Sequence, residues 1–280
     1  MICATGHRTA GTAAVAEPGD MRHLRDQTEE FRTVIEGHIT KTRNKFAKMA
    51  GEGMPRYCPL CDYYGRFAPF GAPPRFDARC PSCASLERHR LIWLLILRRG
   101  LFTKGHRMLH FAAEGVLRRH LQGLVKTYAT AEIRQDLNPD HVLNIEAIDL
   151  PDESYERVMC NHVLEHVDDA RALREIRRIL TPGGVAIFTS PIVEGWAATY
   201  ENPEVSSKPE RLLHFGQADH ARFFGRDLRD RIRAAGFTLD EMTAVEPDVH
   251  RYGLMRGETV FIATKPDFSS MGGPKPGNRP

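Results

Sequence analysis

Two Cys-x-x-Cys pairs, Cys58-Pro-Leu-Cys61 and Cys80-Pro-Ser-Cys83, stand eighteen residues apart and hold four of the chain's six cysteines. Each tight turn presents two thiolates, and four thiolates around one ion make the closed tetrahedral site that Zn²⁺ favours. The intervening stretch is rich in Pro, Gly and aromatic residues with little helical period. The pattern therefore predicts a small knuckle module held by metal through Cys58, Cys61, Cys80 and Cys83. A disulfide framework is disfavoured, because no basic start followed by an apolar stretch of secretory length precedes the cysteines. A redox pair or an iron–sulfur site stays open beside zinc, and with no open coordination position the metal is not expected to catalyse.

With 280 residues, 41% of them apolar, the chain is long enough for one large core beside such a module. Its longest apolar run, Leu91-Ile-Trp-Leu-Leu-Ile-Leu97, is far shorter than the roughly 20 residues of a membrane-spanning helix. No membrane span is expected, and the location is read as cytoplasmic. The segments divide into a disordered leader (1–21), an amphipathic helical segment (22–54), a zinc ribbon (55–84), a linking helix (85–104), an alternating domain (105–266) and a disordered tail (267–280). In the second segment Leu24, Phe31, Ile35, Ile39 and Phe46 fall on one helical face, which suits docking on the protein itself or homodimerisation through that helix. The linking helix starts near Ser85 and stops at Gly100.

After Gly105 strand patterns alternate with helix patterns. Strands are expected at 107–111, 127–133, 142–146, 157–160, 184–190, 238–245 and 259–264, with helices at 115–125, 168–180 and 226–235. The fold class this predicts is α/β, a doubly wound, mostly parallel sheet covered on both faces. The first strand ends in Met108-Leu-His-Phe-Ala-Ala-Glu114, so its loop should border the crevice at the switch point of strand order. No G-x-G-x-x-G follows it, which makes a nicotinamide enzyme a poor candidate.

Further motifs are Tyr155-Glu-Arg-Val-Met-Cys160, Asn161-His-Val-Leu-Glu-His166, Leu180-Thr-Pro-Gly-Gly184 and Phe215-Gly-Gln-Ala-Asp-His-Ala-Arg222. With the two cysteine pairs and Ser85-Leu-Glu-Arg-His-Arg90, their order resembles the class I S-adenosylmethionine-dependent methyltransferases. In particular it resembles the type 11-like bacterial group that carries a four-cysteine zinc ribbon before the catalytic domain. The resemblance covers about residues 57 to 265. It implies a Rossmann-like sheet of seven strands with the last antiparallel, S-adenosyl-L-methionine as cofactor, and structural zinc. It further implies that His110, Phe111, Ala112 and Glu114 hold the methionine portion. Glu132 would accept the ribose hydroxyls, with Asp136 as the alternative register, and Glu146 and Ala147 would lie beside adenine. Asn161 and His162 would face the sulfonium. The chain departs from the family at large in lacking glycines in its first loop.

The acceptor is expected to be a small molecule, a sugar or a lipid-linked glycan. A base near neutral pH would most naturally be histidine. His220 oriented by Asp219 is the first candidate, on the segment after the fifth strand, and His162 the second. Solvated strand-end carboxylates and structurally bonded histidines remain the plain alternatives for these residues. Charge bears on the partner: residues 41–110 carry fourteen Lys/Arg against four Asp/Glu, a local +10 in a chain of net +3. Nucleic acid is a minor reading, because arginines near a four-thiolate cluster can stabilise that cluster instead. A non-catalytic scaffold and a zinc-ribbon nucleic-acid methyltransferase are the competing functions.

Overall fold

The structure, a computed structural model, describes residues 54–71 and 73–267. The expected leader, amphipathic helix with its homodimer, and tail lie outside these, apart from Met54 and Asp267.

The cysteine pairs form two turns of the same geometry. The carbonyl of Cys58 accepts from the amide of Asp62 and that of Cys80 from Ala84, both at 2.9 Å. Asp62 and Ala84 are left-handed, with φ of 57° and 62°. Strands β1 (Arg56–Tyr57) and β2 (Tyr64–Gly65) pair across the first turn, and β3 (Ala68–Phe70) pairs with β4 (Arg75–Arg79) before the second.

Helix α1 (Glu87–Arg99) follows directly. The ring Nδ1 of His89 accepts from the amide of Leu86 at 3.0 Å and satisfies a first-turn donor. Gly100 ends the helix at φ 58°, a left-handed cap that glycine adopts without a Cβ penalty. Leu91 through Ile96 are all buried. A helix apolar on every side needs partners on every side. Its residues share one core with Cys58, Leu60, Phe67 and Cys80 of the ribbon and with Met108, Val185 and Ile187 of the sheet. The expected linking helix is thus a common core element. Arg90 is fully buried beside it, with its guanidinium 4.5 Å from the Phe67 ring centroid.

The sheet contains β5 (Arg107–Phe111), β6 (Thr127–Glu132), β7 (His141–Val142), β8 (Tyr155–Asn161), β9 (Leu180–Thr189), β12 (Thr238–Thr243) and β13 (Thr259–Thr264). Their order is β12-β13-β9-β8-β5-β6-β7, and β13 is antiparallel to both neighbours while the β9-to-β7 half is parallel. The seven-stranded, mostly parallel, Rossmann-like arrangement expected from the sequence is present. Alternate residues feed opposite faces. Leu109, Phe111, Val158, Cys160 and Phe188 pack with α3 (Asp169–Ile179) and α5 (Leu228–Ala234). Met108, Met159 and Ile187 pack with α1 and α2 (Gly115–Leu121). Strand β7 is shorter than the 142–146 expected, because the chain folds back where the amide of Ala147 donates to the carbonyl of Asn144 at 3.0 Å.

Between β9 and α5 lie a small ribbon of β10 (Tyr200–Glu201) and β11 (Arg222–Phe223), and α4 (Lys208–Phe215). Helix α6 (Asp248–Tyr252) precedes β13. Among the described residues no helix is long and apolar enough to cross a membrane.

Candidate functional site

Strand order reverses between β5 and β8, so their carboxyl ends diverge and leave a crevice. At that point Ala112 and His162, each one residue past its strand, take left-handed backbone at φ 48° and 52°. Non-glycine residues in that region are strained, and such strain concentrates at functional sites. Interstrand bonds hold both: the amide of Ala112 donates to Ala131 at 3.0 Å and that of His162 to Thr189 at 2.8 Å.

Two hollows open at this edge. A cleft of about 80 Å³ is lined by Phe111, Ala112, Ala131, Glu132, Ile133, Leu143, Asn144, Ile145, Val163 and Val167. A cavity of about 310 Å³ is bordered by His162, Thr189 to Ile192, Glu194 and Met255 to Thr259. Consecutive residues His162 and Val163 separate them.

Of the residues expected at the cofactor, Phe111, Ala112 and Glu132 line the cleft. Phe111 is 3% exposed and packs in the core below, forming a wall. Glu132 Oε1 accepts from the amide of Ile133 at 3.0 Å. Asp136, the alternative register, pairs instead with Arg134.

His110 and Glu114, expected at the methionine portion, do not line the cleft, and their side chains turn to the other side. Strand alternation puts His110 on the α1 face, fully buried, with Nδ1 2.8 Å from the Tyr128 hydroxyl. Burial pushes its pKa down to about 4. Glu114 Oε1 accepts from Nε2 of His89 at 2.7 Å and from Arg88 Nε at 2.8 Å. Burial pushes this carboxyl up, but His89 and Arg88 outweigh it and hold it at about 2.

Glu146 and Ala147 do not line the cleft. The Glu146 carboxylate accepts from the amide of Asp168 at 2.9 Å, ahead of α3, and Asn144 and Ile145 take the places by the cleft. The foldback that shortens β7 accounts for the displacement, and nothing in the local sequence signals it.

Asn161 is buried, with Oδ1 accepting from the Thr189 hydroxyl at 3.2 Å. Its Nδ2, and Nε2 of His162, are buried without partners among the described residues. His162 Nδ1 lies 3.3 Å from Glu165 Oε1, and the Ser190 hydroxyl donates to Glu165 Oε2 at 2.7 Å. Glu165 is 2% exposed; burial raises its pKa, yet His162 and Ser190 bring it below the ordinary carboxylate range.

His220 does not border the cavity, and Asp219 does not orient it. The Asp219 carbonyl is 3.1 Å from Nδ1 of His166, and its carboxylate is 3.6 Å from the same atom. His220 is buried with its ring centroid 4.7 Å from that of His166, and its Nδ1 has no partner among the described residues. Glu165, His166 and His220 bring ligand atoms within 4.8 Å of one another. Burial, and next the His166 charge, lower the pKa of His220.

In the ribbon, Cys58 and Cys83 sulfurs are 3.6 Å apart and Cys61 and Cys80 sulfurs 3.7 Å. A tetrahedron with Zn–S bonds of about 2.3 Å has edges of about 3.8 Å, whereas a disulfide requires about 2.05 Å. The donor set and its spacing fit zinc. Six of the basic residues around it are paired among the described residues: Arg56 with Asp77, Arg75 with Glu87, Arg88 with Glu114, Arg98 with Asp248, Arg99 with Asp240 and Arg107 with Glu156. Asp77 and Glu87 belong to the same basic segment, whereas Glu114, Asp240, Asp248 and Glu156 lie outside it and were not visible in the sequence pattern.

Residues 115–188 match the family model described as a methyltransferase domain. A search of curated proteins finds no match. Among solved structures, the chain is similar to an S-adenosylmethionine-dependent methyltransferase from Mesorhizobium loti at 13% identity and TM-score 0.45, covering 62% of this chain and 97% of that one. It is likewise similar to a SAM-dependent methyltransferase from Methanosarcina mazei at 13% identity and TM-score 0.41, covering 61% and 97%.

Proposed function

We propose that the chain is an S-adenosylmethionine-dependent methyltransferase acting on a small acceptor, with zinc in the four-cysteine ribbon as a structural ion. The observation that carries this reading is that residues 115–188, which match the methyltransferase domain, supply every cleft residue beyond Ala112.

The cleft suits the adenosine half of such a donor in kind. Ile133, Leu143, Ile145 and Val163 offer apolar walls, and Glu132 offers a carboxylate able to accept two hydroxyl bonds. At about 80 Å³ it is narrower than the roughly 300 Å³ at which ligand pockets begin, so binding requires the loops after β6, β7 and β8 to part. When bound, the sulfonium supplies a methyl group already activated for transfer. The protein's part is then to align the acceptor and exclude water, which can contribute on the order of 7 to 11 kcal/mol in favourable cases.

His162 is the base in this reading, because it borders the larger cavity and carries a buried, unpartnered Nε2. His220 and Asp219 then support the loop behind it through His166. The narrow cleft favours one rival, a scaffold that keeps the fold without turnover. Calorimetry of the zinc-loaded chain with S-adenosylmethionine separates the two. Saturable heat supports the donor site, and silence at millimolar donor overturns it.

A further inference from the structure

The larger cavity has a wall contributed by the turn into β13, where Met255, Arg256 and Glu258 face His162 across the ends of β8 and β9. That turn is tightly held. The amide of Ala244 donates to the Glu258 carbonyl at 2.8 Å, and the amide of Gly257 to the Ala244 carbonyl at 3.0 Å. Just upstream, Arg90 binds the carbonyls of Tyr252 and Gly253. Glu258 is therefore presented from a rigid frame.

The arginines near it are already matched, and His162 has its Nδ1 3.3 Å from Glu165. Arg229 binds Glu194 at 2.8 Å, Arg256 pairs with Glu246, Arg75 with Glu87 and Arg88 with Glu114. Glu258 Oε2 is buried with no partner among the described residues. A carboxylate left in that condition is costly unless a ligand completes it. Burial pushes the Glu258 carboxyl up to about 7, with Glu87 adding to the rise and His162, Arg88 and Arg75 opposing it. A hydroxyl ligand would satisfy the lone pairs but leave the charge, whereas an ammonium supplies N–H donors and the counter-charge together.

We propose, resting on the methyl-transfer reading above, that this cavity is the acceptor site and that Glu258 binds the ammonium of a small amine-bearing acceptor. The volume of about 310 Å³ lies at the small end of ligand pockets, which suits a small molecule rather than a polymer end.

The experiment follows the methyl resonance of Met255, a cavity-lining residue, in full-length zinc-loaded protein with labelled methionine methyls. The probes are benzylamine and cyclohexylmethylamine, each against the alcohol of the same skeleton. Both amines are expected to shift Met255 saturably, and the alcohols to bind about tenfold more weakly. Glu258→Gln should weaken the amines about tenfold and leave the alcohols unchanged. Equal binding of amine and alcohol, no response to either amine, or undiminished amine binding by Glu258→Gln each overturns the assignment. The amine-to-alcohol contrast in the unaltered protein stands even if the variant misfolds. Donor calorimetry on the same sample keeps the two readings apart: donor heat without an amine response removes only the amine site. An amine response without donor heat removes methyl transfer, and with it the acceptor role, while the amine site stands.

Discussion

The Nε of Arg90 donates to the carbonyl of Tyr252 at 2.7 Å across 162 residues of sequence. The same guanidinium binds the Ser85 carbonyl at 2.7 Å and that of Ala78 at 3.0 Å. One buried side chain thereby ties the second cysteine turn, α1 and the segment leading into β13 together. The wall of the larger cavity is thus fastened to the ribbon.

Replacing Arg90 by Met leaves several buried carbonyls without donors. An unsatisfied buried polar group costs about 1–3 kcal/mol, so Arg90→Met should lower unfolding stability by about 3 kcal/mol or more in urea denaturation. A change below about 0.5 kcal/mol would show that the clamp is not stabilising.

The ribbon and sheet share α1, so metal loss should be felt beyond the ribbon. Elemental analysis is expected to find one zinc per chain. Cys80→Ser or chelation should release it and lower the melting temperature of the whole described unit. A sheet that melts unchanged without zinc would mean that the two parts are energetically separate.

Glu132 is the carboxylate at the mouth of the smaller cleft. Glu132→Ala should weaken S-adenosylmethionine binding by about tenfold to a hundredfold, the range for hydrogen bonds to a charged group. Calorimetry reads this directly, and unchanged affinity would place the ribose elsewhere.

Acidification should destabilise the protein in two windows. His110 is held neutral, its pKa lowered by burial from 6.5 to about 4, so its contribution is complete above 6.5 and falls away between those values. Glu114 is held from 4.5 down to about 2; burial opposes this but His89 and Arg88 prevail, so its contribution is complete above 4.5 and disappears as pH falls through 2. Stability measured against pH should lose the upper step in His110→Asn and the lower step in Glu114→Gln.

Leu173 is fully buried on α3 in the core beneath the cleft. Leu173→Ala should cost about 2–5 kcal/mol by transfer loss and cavity formation, measured by denaturant unfolding.

What the amino-acid order determined is the part governed by backbone periodicity and short turns. The cysteine turns repeat from their spacing, β5 and β13 occupy the expected residues 107–111 and 259–264, and Gly100 stops α1. Local geometry encodes these features, because strand alternation and a left-handed cap depend only on neighbouring residues. Tertiary structure alone decided where side chains found partners. It sent Glu114 to His89, 25 residues away, and matched part of the basic excess with distant carboxylates. It also replaced Glu146 with Asn144 at the cleft and brought Glu258 opposite His162. A side chain's charge and reach are fixed by its type, but its partner depends on which elements packing brings together, and no local spacing carries that information.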